Sequence, residues 1–291
     1  MICRLCPRNC GVDRSRQLGY CGAPDTAVVA RAELHFWEEP YLTANGASGA
    51  VFFSGAVFFS GCNLKCAFCQ NQKISFCVKG DVLDAKGLAD VFREIEDEGA
   101  DNVDLITPTP YVPTIKAALD LYRPALPIIY NCGGYESAET IRSLKGYVDV
   151  YLPDYKYYDN ALAKKYSGAA DYRERCEEAL LEMRKQVPDI TKDGVLKKGL
   201  AIRHLVLPTH AKDSIKVLDR IKDLFGAEIH LSIMGQYVPF GDLSRFPELQ
   251  APLKPLEYKA VISHALSLGF ENAFFQEDGC ADTNFIPAFL R

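Results

Sequence analysis

Cys62, Cys66 and Cys69 fall within one short run, Gly61-Cys62-Asn63-Leu64-Lys65-Cys66-Ala67-Phe68-Cys69-Gln70-Asn71, with gaps of three and then two residues between the thiols. One tight loop with that spacing can aim three sulfurs at a single small polyhedron. Three thiolates hold three corners of a cubic iron-sulfur cluster, and an iron without a protein ligand is then open to bind and activate another molecule. Tetrahedral zinc instead asks for a fourth ligand or an open water. Cys77, eight residues beyond Cys69, is the thiol that would close such a zinc knuckle.

A second set, Cys3, Cys6, Cys10 and Cys21, has gaps of two, three and ten residues, enough for a closed tetrathiolate site. Its metal is either structural zinc or an auxiliary iron-sulfur cluster, and spacing alone does not choose between them. Arg8, Arg14 and Arg16 lie near enough to offset the charge of four thiolates. These two sets take up seven of the chain's eleven cysteines. Reducing compartments disfavour disulfides, so clustered thiols read as metal ligands. The chain opens on this Cys- and Arg-rich segment rather than on a basic stub with an apolar stretch, and no apolar run approaches membrane-spanning length. The expected location is the cytoplasm, with no membrane partner. A net charge of -5 and a pI near 5.6 argue against nucleic acid as a partner, which would call for a broad basic surface.

Other chemistry has weaker signals. The five histidines show no paired metal spacing, and there is no Gly-x-Ser-x-Gly elbow and no phosphate-binding loop. His210 is the most interesting histidine because it follows a candidate strand, although a surface or capping role is commoner. Cys132 and Cys280 follow candidate strands as well, but a free, packed cysteine is the usual case.

What must position these residues is a series of apolar strands alternating with amphipathic helices, the pattern of a parallel sheet built from βαβ units. Strands are expected at Ala56 to Ser60, Val103 to Thr107, Pro127 to Tyr130, Val148 to Leu152, Leu200 to Leu207, Glu228 to Met234 and Ala273 to Gln276. Asp84 should cap a helix bearing Leu88, Val91, Phe92 and Ile95 and ending at Gly99. Asp171 and Glu174 resemble a capping box before the stripe Cys176, Ala179, Leu180, Met183 and Val187. Ile215, Leu218, Ile221 and Phe225 mark another helix, and Leu256, Val261, Ala265 and Leu268 a last one, closed by Gly269. The repeat length is that of a TIM-type barrel with fewer than eight units, so the fold class is α/β: a partial (β/α)6 TIM-like barrel with one extra C-terminal strand and a small four-cysteine segment before it. The expected division is a leader at 1–48 and the barrel at 49–291. Residues at the carboxyl ends of the strands then line one mouth. The cysteine loop follows the first strand, Asn131 follows the third, Asp154-Tyr155-Lys156 follows the fourth and Arg203 lies on the fifth.

Gly49-Ala50-Val51-Phe52-Phe53-Ser54 is repeated at once as Gly55-Ala56-Val57-Phe58-Phe59-Ser60. Only the second copy can feed the cysteine loop. The first would extend the strand in phase, form a bulge or loop out, and it is also what a duplication in cloning or assembly would leave.

At the cysteine triplet, with Phe68 just before the last thiol, the chain resembles the radical S-adenosylmethionine superfamily. The Cys3 to Cys10 run, Gly19-Tyr20-Cys21-Gly22, Leu34 to Pro40, Thr107 to Pro113, Tyr151 to Tyr158, Arg203 to Pro208 and Ser232 to Tyr237 extend the likeness, and they resemble the pyruvate formate-lyase activating enzyme-related branch with a cysteine-rich leader. The resemblance implies a [4Fe-4S] cluster on Cys62, Cys66 and Cys69, binding of S-adenosylmethionine, and reductive cleavage of it to a 5′-deoxyadenosyl radical that abstracts hydrogen. It implies a reductase or flavodoxin-type electron donor, with a glycyl-radical enzyme as protein partner, or else a small molecule or other peptide as substrate. The Asp-x-Lys pair of glycyl-radical activating enzymes is matched by Asp154 and Lys156, the catalytic candidates, while Phe68, Asn131 and Arg203 are the cofactor-facing ones. A non-catalytic iron-sulfur electron-transfer protein is the alternative of a different class. The chain departs from many members in carrying Thr107-Pro108-Thr109 where they have Gly-Gly-Glu, and Gly133-Gly134-Tyr135-Glu136, after a later strand, imitates that motif as a backbone turn.

Overall fold

Short apolar runs separated by amphipathic stripes can bury both faces of a strand only if helices cover the sheet. The computed structural model, which describes residues 2–35, 39, 41–42 and 53–276, has that layout. In chain order the elements are β1 (Ala27–His35), β2 (Ser54–Phe59), α1 (Gln72–Ser75), β3 (Asp81–Leu83), α2 (Ala85–Asp97), β4 (Asn102–Ile106), α3 (Val112–Leu121), β5 (Ile128–Cys132), α4 (Ala138–Ser143) and β6 (Val150–Pro153). There follow α5 (Asn160–Ser167), α6 (Tyr172–Gln186), β7 (Ile190–Lys192), β8 (Val195–Leu205), α7 (Ala211–Phe225), β9 (His230–Met234), α8 (Pro255–Ser267) and β10 (Ala273–Phe275).

The sheet runs β10-β9-β8-β6-β5-β4-β2-β1-β3. Every pair from β2 to β10 along this path is parallel, and each new strand lies beside the one before it. Right-handed crossovers in a constant direction put all the connecting helices on one face, so the other face becomes an interior. Six strand–helix units and a seventh strand result, with β3 and β10 at separate ends among the described residues; the barrel is partial and open, as expected.

Alternation along the strands divides the residues. Val103, Leu105, Tyr130, Tyr151, Ile202 and Leu231 pack outward under the helices. Ile129, Val150, Leu152 and Ala201 point inward and meet Tyr41 and Leu42, which plug the amino-terminal end of the barrel. The plug is pinned by its backbone: Leu196 N–H donates to the Tyr41 carbonyl at 2.7 Å and the Asn102 amide to the Leu42 carbonyl at 3.2 Å. The bottom of the interior is therefore packed around this plug, with Ser54 and Asn102 as a buried polar pair bonded to each other, and the charged groups of the interior lie further up the strands.

Three strands were not expected. β3 and β7 are three residues long and too short to show a period, while β1 mixes Arg31 and Glu33 into its apolar run because it lies outside the parallel set, antiparallel to both β2 and β3. Asp84 caps α2 by accepting the Gly87 N–H at 2.8 Å. The expected Asp171–Glu174 capping box does not form: Asp171 accepts from the Tyr135 hydroxyl and Arg175, and Asn160 takes the Arg173 N–H instead. Leu256 is 81% exposed in the first turn of α8, outside the stripe of Val261 and Ala265. Residues 49–52 of the first repeat copy, the leader boundary at 48 and Cys280 lie outside the described residues, and the copy's last residue, Ser54, opens β2.

Gly55, which opens the second copy, carries α2 directly on its backbone. An added Cβ would sit 2.1 Å from Ile95 Cγ2 and 2.9 Å from the Asn102 carbonyl. Gly55→Ala is expected to cost about 1–3 kcal/mol by overpacking, read as a lower urea midpoint with an unchanged slope; an unchanged midpoint would show that α2 does not press on this strand.

Candidate functional site

β2 runs straight into the cysteine loop. Gly61 turns the chain at φ +84°, and a Cβ there would meet the Cys21 carbonyl at 2.9 Å, so the leader lies against this turn. Cys66 is buried, and Cys62 and Cys69 are half-buried. The loop is tied to its own sulfurs: Leu64 N–H approaches Cys62 Sγ at 3.4 Å, and Ser167 Oγ donates to Cys66 Sγ at 3.0 Å. Ser75 Oγ lies 3.5 Å from Cys69 Sγ. Enclosure by protein pushes the Cys62 thiol up to about 12, with the charges of Cys66 and Cys69 adding to the shift. Enclosure likewise pushes Cys69 up to about 11, and Cys66 adds to it. The opposition to ionisation at Cys62 and Cys69 suits a centre of high positive charge, which takes up thiolate charge as it binds. Among the described residues no three Cys, His, Asp or Glu side chains close into a metal-binding group, so the sulfurs share a locus without forming a finished polyhedron.

Facing inward at the carboxyl ends of four strands is a continuous polar ladder. The Asn131 amide donates to Asp104 Oδ2 at 3.0 Å, Arg203 Nη2 donates to Asn131 Oδ1 at 2.6 Å, and Arg203 Nε donates to Asp154 Oδ1 at 2.9 Å. Lys156 Nζ closes it on Asp154 Oδ2 at 2.6 Å. Burial alone would raise the Asp154 carboxyl, but Arg203 and Lys156 outweigh it and hold the group below the ordinary carboxylate range. Burial would lower Lys156, yet Asp154 and then the Cys66 thiolate raise it. Lys156 thus links the ladder to the thiols. Asp104 was not singled out from the sequence, though a lone carboxylate at an inward position of Asn102-Val103-Asp104-Leu105-Ile106 is a legible sign of a polar interior.

Phe68 sits behind the thiols among Tyr157, Tyr166 and Tyr237, with ring centroids 6.4, 6.5 and 6.3 Å away. Tyr157 in turn bonds Ser167 Oγ at 2.7 Å. His210 is engaged by the Tyr166 hydroxyl at 2.7 Å, and that hydroxyl also donates to Glu248 at 2.5 Å. Cys132 does not reach the interior face: it packs outward with Cys176 in the core under the helices. Cys77 is exposed.

Gly134 turns the backbone at φ +78°, where a Cβ would lie 2.1 Å from the Asp154 carbonyl. This turn sends Glu136 back behind the strands, where it accepts from Thr109 Oγ1 at 2.6 Å and the Tyr130 hydroxyl at 3.2 Å. Burial pushes its carboxyl up to about 8 in spite of these donors. The four leader cysteines line one small cavity together with Arg8, Arg14, Tyr20 and Asn63. Arg14 is buried and donates to the carbonyls of Ala23, Pro24 and Pro110.

Residues 56–206 match the family model described as Radical SAM superfamily, just over half of the chain. The uncharacterized protein MJ0674 of Methanocaldococcus jannaschii is 29% identical over 264 residues, which covers 86% of this chain and 70% of that protein. Streptococcus suis SuiB is similar at a TM-score of 0.48 and 16% identity, over 75% of this chain and 47% of its own. Methylornithine synthase PylB gives a TM-score of 0.47 at 15% identity, over 74% of this chain and 60% of its own. The chain spans about half to three-fifths of the length of those two structures.

The raised Glu136 carboxyl has a signed consequence. The folded state keeps a proton that the unfolded chain releases at about pH 4.3, so stability falls as pH rises from there to about 8, by up to about 1.4 kcal/mol per unit. Glu136→Gln should remove that part of the pH dependence, seen as urea unfolding free energies at about pH 5.5 and about pH 8.5 that differ less than in the wild type. Equal differences in the two proteins would mean that Glu136 is not the group concerned.

Proposed function

We propose, from the premise that this chain belongs to the Radical SAM superfamily, that it is an enzyme whose cluster is held by Cys62, Cys66 and Cys69 and which acts on its substrate by abstracting a hydrogen atom. The observation that carries the reading is the meeting of those thiols with the Asp104–Asn131–Arg203–Asp154–Lys156 ladder at the carboxyl ends of parallel strands. When bound, the [4Fe-4S] cluster and S-adenosylmethionine supply reductive cleavage of a carbon-sulfur bond to give a 5′-deoxyadenosyl radical.

The chain's own residues then have three tasks. Arg203, a planar fork kept in register by Asp154 and Asn131, presents fixed positive charge to the cofactor's carboxylate. Lys156, kept protonated by Asp154, stands beside Cys66 and Cys69 and balances negative charge gathered at the sulfurs. Phe68 and the tyrosines around it close the back of the thiol loop against water, which a carbon radical requires.

The substrate we favour is a backbone glycine of a protein partner, because Asp154-Tyr155-Lys156 matches the Asp-x-Lys pair of glycyl-radical activating enzymes and both charges are built into the mouth. The electron would come from a reductase or flavodoxin-type donor. The leader cysteines, which line one small cavity, are the second thiol set, suited to zinc or an auxiliary cluster.

Anaerobic reconstitution, followed by reduction in the presence of S-adenosylmethionine, should yield 5′-deoxyadenosine and methionine, and Cys62→Ser, Cys66→Ser or Cys69→Ser should abolish both products. Protein with a full [4Fe-4S] complement that makes neither, with and without a glycyl-radical enzyme, would leave the electron-transfer alternative. Arg203→Ala should weaken S-adenosylmethionine binding roughly 10-fold or more, equivalent to about 1.4 kcal/mol, with the loss appearing in KM rather than only in kcat. An organic-radical doublet generated on a glycyl-radical enzyme, measured by electron paramagnetic resonance, tests the substrate; its absence alongside 5′-deoxyadenosine formation would point to a small molecule or another peptide.

A further inference from the structure

Arg8 lies between Cys6 and Cys10 of the leader, yet its side chain is committed to the barrel. Nε donates to the Asn63 carbonyl at 2.8 Å, Nη1 to the Gly168 carbonyl at 2.5 Å and Nη2 to the Ser167 carbonyl at 2.7 Å. The guanidinium is flanked by the rings of Tyr20 and Tyr135, whose centroids lie 4.0 and 5.1 Å from its central carbon. Both segments it grips belong to the thiol loop's surroundings. Asn63 follows Cys62 directly and is fixed from its other end by donating to the Tyr135 carbonyl at 2.6 Å. Ser167 is buried at the end of α5, and its hydroxyl is the donor on Cys66 Sγ. Tyr20 adds a second tie from the leader, with its N–H on Cys10 Sγ at 3.4 Å and its hydroxyl on the Leu64 carbonyl at 3.3 Å.

The reduction potential of an iron-sulfur centre rises with hydrogen bonds to its sulfurs and with nearby positive charge, because both favour the more negative, reduced state. We infer that the leader is a potential-setting module for the Cys62, Cys66 and Cys69 centre: Arg8 is a positioning residue that brings a fixed cation to the loop and aligns the Ser167 hydroxyl on Cys66. This rests on the reading of those three cysteines as cluster ligands. The reaction affected is a one-electron reduction, with the electron supplied by a low-potential flavodoxin-type donor, and no bond in the protein forms or breaks. The leader's thiol site acts here through the place it gives Arg8, whichever metal it holds.

The test is an anaerobic redox titration of full-length reconstituted protein followed by electron paramagnetic resonance, scoring the signal that Cys66→Ser removes. Ser167→Ala and Arg8→Ala should both titrate at a more negative potential than the wild type, with iron content at the scored centre unchanged. Ser167→Thr, which keeps a hydroxyl, should return toward the wild-type value, a rescue that a merely structural role would not give. Cys10→Ser should shift the same signal in the same direction although it touches no ligand of that centre. Ser167→Ala is a single buried hydroxyl deletion, so it carries the test if Arg8→Ala fails to fold. Unshifted potentials in Ser167→Ala and Cys10→Ser would overturn the inference, and slower reduction at an unshifted potential in Cys10→Ser would make the leader an electron relay instead. A wild-type protein with no [4Fe-4S] signal dependent on Cys66 would overturn the underlying reading, and this one with it.

Discussion

Asp154 is the constraint on which the site depends. A buried carboxylate is stable in its charged form only with close opposite charge, and here two cations from different places in the chain meet it, Arg203 from β8 and Lys156 from the loop after β6. Each partner depends on this arrangement for its own position. Arg203 is oriented toward Asn131 by the bond it makes to Asp154, and Lys156 is raised toward its charged form beside the thiols. Removing Asp154 would leave two cations facing each other in a confined space, so the pair is better regarded as one three-membered unit than as two salt bridges.

That unit exists because the strands are in register. Asp154 bridges to Arg203 across the β6–β8 pairing, and a slip of one residue would turn Arg203 outward under the helices, where His204 now lies buried with Nδ1 2.7 Å from the Tyr155 carbonyl. Register in turn is held from below, where inward apolar residues of β5, β6 and β8 close on Tyr41 and Leu42. The plug makes the amino-terminal half of the interior a packed core, and this leaves the carboxyl-terminal half as the place where polar groups can gather and pair.

Legibility in the sequence followed the range of the interactions. The thiol loop could be read directly, since its three ligands lie within a few residues, and the seven parallel strands could be read because burial on both faces gives continuous apolar runs. The partial barrel follows from their order. What the sequence hides is pairing between distant residues: Asp104 with Asn131, Arg203 with Asp154, and Ser167 on Cys66 across a separation of 101 residues. Local pattern also misled where a tertiary partner outbid it. Asp171 looks like a cap, but the Tyr135 hydroxyl at 2.6 Å takes its carboxylate. The reach of Arg8 from the leader to Gly168 has no local signal, because an arginine among cysteines reads first as charge balance.

Where the chain departs from Gly-Gly-Glu after the second strand of the parallel set, its residues are engaged within the fold itself. Thr107 sits there at φ +60°, a conformation glycine takes freely and a β-branched residue takes at a cost of about 1–3 kcal/mol. Its N–H is held by the Asn131 carbonyl at 2.9 Å, so the turn at Thr107 is tied to a rung of the ladder. Two positions on, Thr109 is buried and its hydroxyl is spent on Glu136. The Gly133-Gly134-Tyr135-Glu136 turn therefore does not replace the missing motif by pointing a carboxylate into the mouth. It supplies that carboxylate from behind, bracing the ends of β4 and β5 through Thr109 and Tyr130 while its tyrosine packs against the leader's Arg8. In this chain, the glycine-rich turn reaches the leader through Tyr135 while its glutamate braces the barrel, and the positive side of the mouth is left to Arg203 and Lys156.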